Sequence, residues 1–159
     1  MTWREGQIDG VLIRPLARHE DARGWLAELF RSDELSSALL PAMGYISITS
    51  PGVARGPHEH REQTDYFVFA GPGDFLVRLW DARSGSATHG VVQTATAGGS
   101  AQSLMIVPPG VIHGYRNVSE CDGVVLNFPN RLYAGEGKRE PVDEIRHEDN
   151  ADRDFSLED

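Results

Sequence analysis

Four residues in this sequence have the types and spacing of a single reaction centre: His58, His60, Asp65 and His113. Two histidines at i and i+2 project from one face of an extended backbone, because strand side chains alternate with period two. Asp65 heads the strand-like run Tyr66-Phe67-Val68-Phe69-Ala70. His113 arrives about fifty residues later, behind the turn Pro108-Pro109-Gly110. Two chemistries suit such a set. Three imidazoles and a carboxylate can hold a divalent ion such as Fe, Zn, Mn or Ni and leave positions open for a substrate. Alternatively, His58 removes a proton next to a ketone, while His113 or Tyr115 donates a hydrogen bond to the enolate oxygen that develops. In a plainer arrangement, His60 is one more polar group on a pocket wall and Asp65 only orients His58.

These side chains need short strands to aim them, and the chain is rich in candidates. Residues 7–16 read as an opening edge strand ended by Pro15. The turn Asp21-Ala22-Arg23-Gly24 leads into a strand over 25–30 that puts Glu28 on the face of Leu26 and Phe30, where a carboxylate wants a partner. Residues 33–40 fit a short helix, capped by Ser32 or Asp33 and stopped by Pro41. Strands follow over 43–49, 66–70, 74–81, 91–95, 103–107, 112–118 and 123–128. The one over 74–81 is apolar on both faces except at Arg78, as expected of a strand between two layers. Phe67, Phe69, Phe75 and Trp80 belong to its core. About nine short strands with turns every eight to twelve residues indicate an all-β sandwich or barrel.

Composition narrows the partners. The chain has 159 residues and a formal charge of −9, of which residues 140–159 carry −7, with nine acidic and two basic residues. The body is close to neutral, so its arginines can meet a phosphate-bearing ligand. No basic stripe for nucleic acid is visible, and no apolar run approaches membrane-spanning length. Lys138 is the only lysine, which disfavours Schiff-base and P-loop chemistry, and Cys121 is the only cysteine. Nothing in the sequence directs export, so a cytoplasmic protein is expected. Residues 1–135 are expected to form one domain and 136–159 an acidic tail with little part in the core.

The two histidine segments resemble the half-motifs of cupins, HxH-x4-acid and PxGxxHxxxN, with Asp65 where glutamate is usual. That resemblance implies a double-stranded β-helix, or jelly roll. Five further pieces, in order, resemble the dTDP-4-dehydrorhamnose 3,5-epimerase (RmlC-like) family: Asp21-Ala22-Arg23-Gly24 with Glu28, Ser50-Pro51-Gly52-Val53-Ala54-Arg55-Gly56-Pro57-His58, Leu79-Trp80-Asp81-Ala82-Arg83, Pro108 to Tyr115, and Leu132-Tyr133. The family resemblance implies a metal-free isomerase, a homodimer that exchanges N-terminal strands, and a nucleotide-linked deoxysugar as substrate. It places His58 on the general base and His113 on the second pocket histidine. Arg55 falls on a sugar-nucleotide contact, and Arg23 and Glu28 on contacts supplied across the dimer.

The departures are specific. Asn127 stands where the family has its general-acid tyrosine, Tyr66 replaces an active-site lysine, and Met43 and Tyr45 replace a Gln-x-Asn pair. The C-terminal aspartate that orients the base has no counterpart in the sequence. The expectation is therefore an epimerase or keto-isomerase of 4-keto-hexoses, with His58, His113 and Tyr133 catalytic. Arg23, Glu28, Arg55, His60, Tyr66, Tyr115 and Asn127 are expected to contact substrate. A single-proton event at one carbon fits these departures better than full 3,5-epimerisation. The rivals are a metal-dependent enzyme using His58, His60, Asp65 and His113, and a non-catalytic sugar-binding cupin.

Overall fold

A computed structural model of the chain describes residues 2–148 and 154–158, so part of the acidic tail lies outside the described residues. The strands are β1 (Arg4–Glu5), β2 (Leu12–Pro15), β3 (Arg18–Asp21), β4 (Gly24–Ala27), β5 (Tyr45–Thr49), β6 (Ala54–Glu59) and β7 (Asp65–Phe69). They continue with β8 (Asp74–Asp81), β9 (Val91–Gly98), β10 (Ser103–Val107), β11 (Val111–Asn117), β12 (Gly123–Asn127) and β13 (Ile145–Arg146). One layer is six-stranded in the order β1-β9-β8-β11-β6-β13, the other five-stranded in the order β2-β10-β7-β12-β5, and β3 and β4 form a separate hairpin. The all-β jelly roll expected from the motifs is the observed architecture.

Phe67 and Phe69 of β7, Phe75 and Leu79 of β8, Met105 of β10 and Tyr115 of β11 fill the space between the layers. The Tyr115 ring stands edge-on to Phe67, Phe69 and Phe75, with centroids 6.0, 5.6 and 5.3 Å away, the geometry aromatic quadrupoles favour. β2 lies at the edge of its sheet, where Pro15 costs no ladder bond that a neighbour needs. On β5 the period of two is visible directly: Ser47 and Thr49 face inward, whereas Ile46 and Ile48 are 62% and 50% exposed.

Three expectations are corrected. Residues 33–40 do not form a helix; only a 3-10 turn at Ser37–Leu39 appears, with no side-chain cap on Ser36. Arg31 instead pairs with Asp33 and Glu28, at 2.6 and 3.2 Å, tying the preceding residues into a local ionic loop. The strand expected over 25–30 stops at Ala27, so Glu28 is exposed beside Arg31 rather than on an apolar face. The tail, finally, takes part in the core. β13 adds to the edge of β6, Leu157 is buried against Trp80 and Ile112, and Arg78 donates to the carbonyl oxygens of Ser156 (2.9 Å) and Glu158 (2.5 Å). That last pair of bonds accounts for a charged residue on an otherwise apolar strand. Among the described residues no helix is long and apolar enough to cross a membrane.

Candidate active site

The histidines converge because β6 and β11 are neighbours in register, with His58 opposite His113. Gly56 makes the approach feasible. Its φ is +79°, and a Cβ there would lie 2.7 Å from the carbonyl oxygen of His113. Ring centroids of His58 and His113 are 4.5 Å apart and those of His58 and His60 5.2 Å. Asp65 comes from β7 in the opposite layer and closes the cluster between the sheets.

Asp65 is 1% exposed, and its two carboxylate oxygens meet different neighbours. Its Oδ1 accepts 2.8 Å bonds from the amides of Gln63 and Asn127, and its Oδ2 lies 3.1 Å from Nε2 of both His60 and His113. Burial works against its charge, but His113 and His60 beside it hold the carboxyl far below its ordinary range. His113 Nδ1 donates to the Val111 carbonyl at 2.9 Å, and His60 Nδ1 meets the carbonyl of Asp143. Both rings are thereby oriented with Nε2 toward Asp65. In the neutral tautomers those nitrogens and Oδ2 present lone pairs to one another, which is why Asp65 Oδ2 and His113 Nε2 lack an aligned hydrogen bond despite their 3.1 Å separation. Such a knot needs a cation, either a proton or a metal ion. For His60, burial disfavours the charge, yet the Asp65 bond raises its pKa above the ordinary value.

The same knot tests whether a metal would fit. One ligand atom from each of His58, His60, Asp65 and His113 lies within 4.8 Å of every other. Ligands about 2.1 Å from an ion stand roughly 3 Å apart in cis and 4.2 Å in trans. The 3.1 Å contacts match a cis edge, and the widest pair would have to close by about half an ångström. Backbone carbonyls holding the distal nitrogens are also the usual outer shell of metal-binding histidines. The donor set therefore fits a divalent ion.

His58 differs from its neighbours. It lines a cavity of about 830 Å³, and burial, followed by the proximity of His113 and His60, pushes its pKa down to about 3. It is thus neutral and able to accept a proton. Its Nδ1 lies 3.9 Å from Oε1 of Glu144, and β13 fixes this approach by pairing Arg146 with His58. A carboxylate beside His58 is therefore supplied by the tail, where the sequence shows no counterpart of the family's orienting aspartate. Asp143 next to it accepts from the backbone amides of Arg61, Glu62 and Gln63 at 2.8, 2.9 and 2.9 Å and pins the loop after β6.

The remaining expected residues divide. Arg55 lines the cavity and is held by Thr49 Oγ1 (2.9 Å) and the Ile48 carbonyl (2.7 Å). Tyr115 lines it with its hydroxyl 3.1 Å from Ser47 Oγ, and Tyr133 stands at the mouth, 57% exposed. Tyr66, expected to touch substrate, points out of the cavity; its hydroxyl donates to the Leu29 carbonyl and its ring meets Phe30. Asn127 is 1% exposed and acts through others rather than on a ligand. Arg23 and Glu28 lie on and beside the β3–β4 hairpin, outside the cavity, with Arg23 paired to Asp21 at 2.5 Å. Arg83 binds Asp81, as a structural ion pair would, at 2.8 Å. Two cavity residues were not singled out as functional from the sequence: Tyr45, opposite Asn127 on β5, and Glu144, hidden in a run of acidic residues.

Comparisons with known proteins give the family and agree with the fold. A family model described as dTDP-4-dehydrorhamnose 3,5-epimerase matches residues 5–150. The probable low-salt glycan biosynthesis epimerase Agl13 of Haloferax volcanii is 36% identical over 127 residues, 79% of this chain and 81% of that protein. The spore coat polysaccharide biosynthesis protein SpsL of Bacillus subtilis is 37% identical over 128 residues, covering 79% and 82%. In fold, the crystal structure of a dTDP sugar isomerase from Desulfovibrio desulfuricans superposes with a TM-score of 0.79 at 21% identity, covering 94% of this chain and 92% of that one.

Proposed function

Because the chain belongs to the dTDP-4-dehydrorhamnose 3,5-epimerase family, we propose that it is an isomerase of a nucleotide-linked 4-keto-deoxyhexose, with His58 as the general base. The observation that carries this reading is a neutral histidine facing a cavity of about 830 Å³, with a carboxylate 3.9 Å from its Nδ1. A hydrogen on carbon next to a ketone is acidic enough for such a base once the enolate oxygen is held. Its weak intrinsic basicity is offset as charge appears on the ring, since Asp65 and Glu144 both favour the imidazolium. Arg55 is suited to a phosphate or sugar oxygen, which a guanidinium binds in bidentate fashion. Solved structures of similar fold in complex with dTDP-quinovose and dTDP-4-keto-L-rhamnose make a dTDP-linked sugar the first substrate to try.

A second reading rests on the converging lone pairs at Asp65 Oδ2. Fe, Zn, Mn or Ni held by His58, His60, Asp65 and His113 would supply a Lewis acid for a ketone oxygen. One experiment separates the two readings. With a dTDP-linked 4-keto-6-deoxyhexose in D2O, deuterium is expected at C3, with unchanged rate after chelation and dialysis against metal-free buffer. Loss of exchange on chelation, restored by one equivalent of a single metal, would establish the metal-dependent reading. No exchange with any 4-keto sugar nucleotide would overturn both.

A homodimer belongs to the same reading. Ile46 and Ile48 on the outer face of edge strand β5, with Trp25 and Leu26 of the hairpin, expose apolar side chains at 62%, 50%, 43% and 59%. Such surface is costly to leave in water. Light scattering should therefore give twice the chain mass of 17.5 kDa, and Ile46→Glu with Ile48→Glu should shift the protein to monomer. In the dimer, Arg23 and Glu28 reach the partner's cavity; a monomeric wild-type protein at micromolar concentration would contradict this.

A further inference from the structure

Inverting a carbon requires one group to take a proton from one face of the sugar and another to deliver a proton to the opposite face. His58 rises from the six-stranded layer. A donor for the other face must come from the five-stranded layer and must have an O–H or N–H not already spent within the protein.

Of the two cavity-lining hydroxyls on β5, that of Ser47 is spent on Tyr115 and the Val125 carbonyl, and Tyr133 lies in a turn at the mouth on neither layer, which leaves Tyr45. Tyr45 of β5 is directly opposite Asn127 of β12. The orientation of the Asn127 amide is fixed by its neighbours: Oδ1 accepts the backbone N–H of Tyr66 at 3.0 Å, and Nδ2 donates to the Asp65 carboxylate at 2.8 Å. The second hydrogen on Nδ2 therefore points at the Tyr45 hydroxyl, 2.8 Å away. That bond makes the phenolic oxygen an acceptor and leaves its own proton for a ligand. The Tyr45 ring is 45% exposed along the cavity wall, while burial of its hydroxyl end raises the pKa to about 12, so the proton is present at neutral pH. The hydroxyls of Tyr66 and Tyr115 are both engaged, by Leu29 and by Ser47.

We infer that Tyr45 is the proton donor of the reaction, aimed by Asn127, with His58 and Tyr45 flanking the sugar from opposite layers. This rests on the isomerase reading above. His58 takes the proton from the carbon next to the ketone, leaving an enediolate. Tyr45 then gives its proton to that carbon from the other side, forming the C–H bond with inverted configuration. The phenolate that remains accepts the Asn127 N–H bond until solvent reprotonates it, and His58 returns its proton to water.

The test compares two readouts on wild type and Tyr45→Phe. In D2O the wild type should both exchange the substrate hydrogen and form epimer. Tyr45→Phe should form epimer at least about 100-fold more slowly with little change in KM, while His58 continues to exchange deuterium into unconverted substrate. A structural role would lower both readouts together, and epimer formation within threefold of wild type would likewise overturn the inference. If Tyr45→Phe fails to fold, 3,5-difluorotyrosine at position 45 keeps the shape and lowers the phenol pKa. The alkaline limb of kcat should then move to lower pH, and an unmoved limb would refute the assignment. A wild type that turns over no 4-keto sugar nucleotide removes the isomerase reading and this inference with it. A wild type that turns over with Tyr45 dispensable removes only the inference.

Discussion

Replacing His58 by asparagine should lower deuterium exchange at C3 of the substrate by about 10²- to 10⁴-fold, the range over which a positioned acid–base group contributes. Asparagine keeps a polar side chain of similar reach but cannot take a proton, so binding should survive where turnover does not. The pH dependence follows from the depressed pKa of about 3, set by burial and by the neighbouring imidazoles. The base form persists from neutrality down to acid conditions, so kcat/KM should show no limb at the ordinary histidine pKa of about 6.5. A limb there would mean that the cavity does not depress His58. Retention of more than about a tenth of the wild-type exchange would assign the base elsewhere.

How much of this centre is legible in the sequence depends on the range of the contacts. The i, i+2 pair His58 and His60 is local, and His113 follows a Pro-Gly turn that announces its own strand; period two and turn chemistry suffice to place them. The jelly roll is legible for the same reason, because alternation and turns are local signals. Glu144 is not legible. It sits among acidic residues that look like a solvated tail, and only the pairing of Arg146 with His58, 88 positions apart, brings it to His58. The helix expected over 33–40 fails for the converse reason: the carboxylate of Asp33, one of the two expected caps, is spent on Arg31, and the stretch before Pro41 is too short to pay for nucleation.

Tyr45 and Asn127 show the limit most clearly. In the sequence they are two unrelated departures, 82 positions apart, one on each side of the histidine motifs. On the sheet they share a rung and a 2.8 Å hydrogen bond, so they form a single unit. A tyrosine hydroxyl in this cavity and an amide beside it are both present; the strand that carries each could be settled only by the register.

Asp65→Ala should destabilise the fold by about 3–5 kcal/mol, the cost of removing one partner from a buried charged network. The carboxylate satisfies the amides of Gln63 and Asn127 through one oxygen and faces His60 and His113 through the other. Alanine would leave the amides of Gln63 and Asn127 without their acceptor and remove the negative charge that His60 and His113 face. The pH dependence gives an independent signature. Asp65 is held below its unfolded pKa of about 3.9, so the unfolded state binds the extra proton on acidification. Its stabilisation is complete above that value and drains away as pH falls through the folded one. His60 is raised by the same carboxylate, so its contribution is complete below about 6.5 and is lost as pH rises through the raised value. The contribution of the Asp65–His60 pair should therefore be fullest between roughly pH 4 and 6.5 and decline on both sides, superimposed on the loss that His58, held down to about 3, causes as pH falls below 6.5. Denaturant midpoints of Asp65→Ala should be lower throughout, with both of these slopes reduced. A loss under about 1 kcal/mol, the cost of an ordinary hydrogen bond, or wild-type slopes retained in the variant, would show that the three imidazoles are held together by something other than this carboxylate.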